Sequence, residues 1–332
     1  MGGETSNIME MAEEVSHSIF SRFGWQVTGP MNENFPCIQV EKHRKKRSPT
    51  HPVDVVFEYD DTFTNQRHYL LTDLKSYAKG SMSPGSTKDA IVNLSKAVDC
   101  AQISQEWQER YTNSELTWTV HGLLFVYNHD GEFDKDFNTY LSEIKASSLS
   151  LPMNSKLYVV GPDRISYLLN ILNDIDGERG RGALPPNSKI EFWNPDLINR
   201  VPTAKLGSMA RIELLMGPWQ ILPYEKIVDD SISKGIYMYY DGKGDSPKEF
   251  EFLIDFSFKN QLVQKDCPIS IRMPNAVGTA RQNFQQAQDN IFRHFHSFPE
   301  VKNRLNQFEF KAVETVRTSF STVEIGMEAR NV

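Results

Sequence analysis

Two runs, residues 53–59 and 69–77, constrain this chain more than any other part of its sequence. Both are rich in β-branched, aromatic and leucine residues, and a polar connection holding Asp60, Asp61, Asn65 and Gln66 joins them, which predicts a β-hairpin. Side chains alternate across a strand, so Tyr69, Leu71, Asp73, Lys75 and Tyr77 share one face, while Leu70, Thr72, Leu74 and Ser76 share the other. Asp73 and Lys75 therefore point the same way. Hairpin pairing also brings Asp54, at the head of the partner run, beside Asp73. Two carboxylates and an ammonium at one end of a sheet are the groups that metal-dependent phosphodiester hydrolysis needs.

The surrounding pattern predicts an α/β core. Residues 7–23 read as a helix, because Ile8, Ala12, Val15, Ile19 and Phe23 recur at three- and four-residue steps before Gly24. Glu13 lies on the flank of that apolar stripe; Glu14 takes its place if the helical phase is shifted. A strand is expected at 37–41, a long helix at 88–110 capped by Thr87, a buried strand at 116–127, and a helix at 133–144. Strands at 156–160 and 189–193 flank a helix at 163–172. The turn-rich stretch 194–208 reads as a linker, which puts one domain at 1–205 and a second, α+β, at 206–332. In the second, strands are expected at 235–240, 250–258 and 269–273, a helix at 279–295, and short apolar runs at 308–313 and 320–325. No internal repeat is visible.

Composition narrows the function classes. The net charge of −7 argues against a protein coated in basic surface, so any nucleic-acid contact must be local. No apolar run reaches the roughly 20 residues of a membrane-crossing helix, and no leader for secretion is expected at the N-terminus. Cys37, Cys100 and Cys267 are far apart, without C-x-x-C spacing, and read as thiols of a reducing, cytoplasmic compartment, none of them a structural zinc ligand. Neither the G-x-G-x-x-G nor the P-loop pattern occurs, which disfavours a nucleotide-binding enzyme.

An acid-x-lysine pattern is common and occurs here five times, at Asp73/Lys75, Glu143/Lys145, Asp241/Lys243, Glu300/Lys302 and Glu309/Lys311. Only the first has a hairpin partner that begins with an acid. Pro52-Val53-Asp54, then Asp73-Leu74-Lys75 nineteen positions later, with Glu13 eleven residues ahead of Gly24-Trp25, resemble the PD-(D/E)XK nuclease superfamily. That family includes type II restriction endonucleases, Holliday-junction resolvases and Mrr-like enzymes. The resemblance spans roughly residues 7–130, and the valine between Pro52 and Asp54 departs from the motif. It implies a restriction-endonuclease-like mixed sheet flanked by helices, with Asp54, Asp73 and the Leu74 carbonyl holding Mg²⁺, for which Mn²⁺ would substitute. It further implies that Lys75 holds the attacking water or offsets charge, and that Glu13 orients a water.

The densest cationic run, Lys42, Arg44, Lys45, Lys46 and Arg47 around His43, has two readings: phosphate contact, or a solvated tip. Lys79 and Lys88 would extend a phosphate track. Two functions stand at this point. One is a Mg²⁺-dependent DNA endonuclease of restriction or anti-phage defence, whose second domain recognises DNA, self-associates or binds a partner subunit. The other is a nuclease-like fold without activity, serving as a binding or structural subunit of a complex.

Overall fold

The computed structural model describes residues 2–44, 49–61, 63–113, 116–142, 144–184, 189–195, 204–228, 231–294 and 299–315. The chain forms two compact units that divide at Ser166/Tyr167.

The first unit contains α1 (Gly2–Arg22), β1 (Gln26–Val27), β2 (Glu33–Pro36), α2 (Val40–His43), β3 (Thr50–Val53), β4 (Val55–Asp60) and β5 (Arg67–Tyr77). Then come α3 (Pro84–Ala101), α4 (Gln105–Tyr111), β6 (Trp118–Asn128), α5 (Asn138–Leu141), β7 (Leu157–Val160) and the start of α6 (Pro162–Gly180). One mixed sheet runs in the order β1-β4-β5-β6-β7. The expected hairpin, β4 with β5, is antiparallel; β5, β6 and β7 are parallel, and β2 and β3 form a separate antiparallel ribbon. Parallel neighbours need a crossover, and α3 and α4 supply it between β5 and β6.

Period-two alternation gives each face of the sheet its own apolar layer. Phe20 of α1 packs edge-on to Phe57 and Phe125, on the face that carries Leu70 and Leu74. On the other face Ile91, Leu94 and Val98 of α3 join Val56, Leu71, Val120 and Leu124 in one core. Gly122 on β6 lets α3 come close: a Cβ there would overlap the Leu157 side chain and lie 3.0 Å from Leu94 Cγ. Gly122→Val should therefore lower the stability of this unit by about 1–3 kcal/mol through overpacking, a loss that thermal denaturation will register.

Several elements differ from the sequence reading. The stretch 37–41 is not a strand: pairing ends at Pro36, and Cys37 and His43 both turn into the interior. The helix expected at 88–110 is two. It begins earlier, where Ser83 caps α3 in a reciprocal box with Ser86 and Pro84 opens the first turn. After Ala101 the chain restarts, with Ser104 Oγ accepting from Trp107 N–H at the head of α4. Of the described residues in 133–144 only Asn138–Leu141 are helical, while Phe133, Phe137 and Tyr140 pack as an aromatic knot.

The second unit holds the rest of α6, then β8 (Lys189–Ile190), β9 (Phe192–Pro195), β10 (Ala204–Gly207), α7 (Ile212–Met216), β11 (Trp219–Val228) and β12 (Ser231–Tyr240). It closes with α8 (Pro247–Lys259), β13 (Ile269–Met273), α9 (Ala280–His294), α10 (Pro299–Leu305) and β14 (Phe308–Ala312). Because β8 pairs with β11, the second unit begins well before 206, and β9 and β10 pair within the stretch read as a linker. The apolar run at 320–325 lies outside the described residues. Residues 250–258, expected as a strand, are the core of α8. Phe250, Leu253, Ile254 and Ser257 are its buried positions, a helical spacing, while Phe252, on the supposed inner face of the strand, is 54% exposed. Pro247 in the first turn and the Asp255–Lys259 ion pair support the helix.

The two sheets share one plan. Taken from the same edge, β8-β11-β12-β13-β14 has the strand order of β1-β4-β5-β6-β7, with antiparallel pairs first and two parallel pairs after. A helix precedes each sheet, α1 in one unit and α6 in the other. Among the described residues no helix is long and apolar enough to cross a membrane.

Candidate active site

The hairpin of the first sheet ends before its second strand does. β4 and β5 pair from Asp60↔Arg67 to Val55↔Thr72, and β5 then continues to Tyr77 beside β6 alone. β3 pairs with β2 as far as Glu33↔Val53, so Asp54 is the residue between the ribbon and the main sheet. At this fork β5 has outrun its β4 partner, and the Asp54 side chain fills in: Oδ2 accepts from Leu74 N–H at 2.7 Å. That bond holds the carboxylate beside Asp73, within hydrogen-bonding reach of its carboxyl. Lys75, on the same face of β5, closes its ammonium onto Asp73 Oδ1. The Asp73 and Lys75 side chains remain 18% and 33% exposed, so the group is reachable from solvent.

The electrostatics follow from this crowding. Burial raises the Asp73 carboxyl, Lys75 pulls it down, Asp54 adds to the rise, and the balance is a pKa pushed up to about 6. For Lys75 burial works downward, but Asp73 and Asp54 outweigh it, so its ammonium is held more firmly than usual. Two carboxylates against one ammonium leave a negative, oxygen-lined corner, which fits a hard divalent cation.

A pH effect follows. The folded Asp73 pKa lies above its unfolded value, so its contribution to stability is present below about pH 4 and is lost as pH rises through 6. A divalent ion held by the ionised pair would reverse that loss. Mg²⁺ should therefore raise the melting temperature clearly at pH 8 and little at pH 5, as read by thermal denaturation at constant ionic strength.

Glu13 is half-buried on α1, on the same helical stripe as Phe20 and two turns nearer the amino end. It lies on the helix that covers the opposite sheet face and is not bonded to Asp54, Asp73 or Lys75. Glu14 is exposed. The cationic residues divide. Lys42 is ion-paired to Asp99 at 2.5 Å, and Lys79 to Asp134 at 2.8 Å. Arg44 and Lys88 are exposed, and Lys45, Lys46 and Arg47 lie outside the described residues.

The second sheet repeats the position but not the chemistry. One step outward from its last hairpin pair, Trp219↔Tyr240, stand Pro218 and Asp241, where the first sheet has Asp54 and Asp73. Lys243 completes the acid-x-lysine pattern. Proline replaces the second carboxylate, however, and Asp241 Oδ1 accepts from Asn275 Nδ2 at 2.8 Å.

A mixed sheet whose hairpin fork carries an aspartate pair and a lysine, followed by a helical crossover into a parallel strand, is the arrangement of the PD-(D/E)XK nucleases, and residues 1–164 belong to that superfamily. Within it, those residues match the family model described as the GAPS4 protein PD-(D/E)XK nuclease domain. No curated protein matches the chain.

Proposed function

We propose that the chain is a divalent-metal-dependent endonuclease that hydrolyses DNA, with Mg²⁺ as the working ion and Mn²⁺ as its substitute. The observation that supports this most is the meeting of Asp54 and Asp73 beside Lys75 at the sheet fork. Asp54, Asp73 and the Leu74 carbonyl would hold the ion. When bound, it supplies Lewis acidity at the scissile phosphate and acidifies water. Lys75 keeps its proton, so it opposes the charge that builds up on the phosphate oxygens instead of removing a proton. The family resemblance would give Glu13 the water-orienting role, although α1 covers the sheet face opposite Asp73 and Lys75.

Arg44 and Lys88 are exposed cations suited to the phosphate backbone, with Lys45, Lys46 and Arg47 continuing the run. The second unit, whose hairpin fork has Pro218 in place of one acid, is assigned to DNA recognition, self-association or a partner subunit. The family's link to defence supports a cytoplasmic role against invading DNA.

Supercoiled plasmid incubated with the purified chain tests this reading. Conversion to open-circular or linear DNA in Mg²⁺ or Mn²⁺, abolished by EDTA, is expected. DNA binding without cleavage across ions, pH and both strand forms would favour the inactive binding subunit. Lys88→Glu should weaken DNA binding and flatten its salt dependence by about one phosphate contact.

A further inference from the structure

Away from the carboxylates, the first unit buries a second set of metal-ligating side chains. Cys37 follows β2, His43 ends α2, His51 lies on β3 and Cys100 lies near the end of α3. They are 5%, 1%, 0% and 0% exposed. One ligand atom from each can be chosen so that all four lie within 4.8 Å of one another. The Cys37 and Cys100 sulfurs are 3.8 Å apart, and His43 Nδ1 is 3.4 Å from the first and 3.5 Å from the second.

Those three distances are the edges of a metal tetrahedron. Zinc bonds sulfur at about 2.3 Å and imidazole nitrogen at about 2.0–2.1 Å, which sets sulfur–sulfur edges of about 3.8 Å and sulfur–nitrogen edges of about 3.5 Å. The partner of the second nitrogen also fits. His43 Nε2 is 3.0 Å from Asp99 Oδ2, so a proton on Nε2 donated to the carboxylate leaves Nδ1 as the ligand. Gln39 and Lys42 donate to the same Asp99 oxygen, Oδ2. The His51 ring stands 76° to that of His43, with centroids 5.5 Å apart, edge to face within the same pocket. Two thiolates cancel the charge of a divalent ion, so the filled site is neutral and suits a fully buried position. Soft thiolate with imidazole selects zinc over magnesium.

We propose that Cys37, His43, His51 and Cys100 form a structural zinc site of the Cys2His2 type, distinct from the carboxylate centre. It ties the β2–β3 ribbon to α3. His51 also lies three residues ahead of Asp54, so the site braces the strand that delivers that carboxylate to the fork. Cys37 and Cys100, far apart in sequence and expected to bind no zinc, are brought together where the β2–β3 ribbon meets α3.

The test is metal content of the full chain, purified under reducing conditions and without chelator, by plasma mass spectrometry. One zinc per chain is expected in the wild type, in Cys267→Ser and in Asp73→Ala, falling towards zero in Cys37→Ser and Cys100→Ser. Those two serine variants risk misfolding, so the wild type is also reconstituted with Co²⁺. Thiolate-to-cobalt charge transfer and the intense visible bands of tetrahedral cobalt are expected, displaced by one equivalent of Zn²⁺. A chain that holds no zinc and gives no such spectrum overturns the proposal, as does a Cys37–Cys100 disulfide or zinc that persists in both serine variants.

Discussion

Asp73→Ala should reduce Mg²⁺-dependent plasmid cleavage to background, and Lys75→Ala should reduce it by about 10²–10³-fold, the range for losing one group that stabilises the transition state. The two losses differ in kind. Removing Asp73 would take a carboxylate from the ion's proposed donor set, so stabilisation of the fold by Mg²⁺ should disappear with activity. Removing Lys75 leaves both acids in place and relieves them of a competing cation, so Mg²⁺ still stabilises the protein. Asp54→Ala behaves like Asp73→Ala and also leaves Leu74 N–H without its acceptor at the fork. Cleavage rates with melting temperatures measured in Mg²⁺ and in EDTA separate these outcomes. Equal Mg²⁺ responses in all three variants would mean that the ion binds elsewhere.

The largest expected effect on stability lies in the second unit. Arg272 on β13 is 2% exposed and forks onto Asp174, Nε to Oδ2 at 2.5 Å and Nη2 to Oδ1 at 3.0 Å, with Glu178 Oε1 also 3.0 Å from Nη2. Tyr239 donates to Asp174 at 2.9 Å, Lys311 reaches Glu178 at 2.5 Å, and the guanidinium lies 4.4 Å from the Tyr237 ring centroid. Arg272→Met keeps the bulk but leaves two buried acids short of charge, and it should cost about 3–5 kcal/mol. Denaturant unfolding of the variant measures this. The same cluster sets an acid limit. Burial alone would raise Glu178, yet Lys311, Arg181 and Arg272 outweigh it and hold its pKa down to about 2. A depressed acid contributes stability above its unfolded pKa and loses it as pH falls, so this unit should weaken between about pH 4.5 and 2. In Arg272→Met the depression of Glu178 is smaller, so less stability is lost over that range and the loss ends at higher pH.

The parts of the fold that were legible in the sequence are those decided locally. Strand alternation alone places Asp73 and Lys75 on one face, and the polar turn at residues 60–66 is enough to bring Asp54 opposite. Where two periods fit the same residues, the sequence is ambiguous: Phe250, Phe252, Ile254, Phe256 and Phe258 alternate as a strand would, but packing against β12–β14 selects the helix in which Phe250, Leu253 and Ile254 face inward. β11 is interrupted by Pro223 and Glu225 and does not read as a strand, although its ten residues pair along their whole length with β12. Contacts distant in sequence were beyond reach. Nothing in the spacing of Cys37 and Cys100 announces that their sulfurs meet. The shared strand order of the two sheets is equally hidden, because Pro218 stands in the second where Asp54 stands in the first.

We propose that Asp54 and Asp73 together hold a catalytic divalent ion. Crystals of the chain soaked in Mn²⁺ test it most directly, through anomalous scattering at the sheet fork. An anomalous peak between the Asp54 and Asp73 carboxylates is expected in the wild type, and none there in Asp73→Ala. A wild-type map with no peak between those carboxylates, in crystals of protein that cleaves plasmid in the same Mn²⁺, would contradict it.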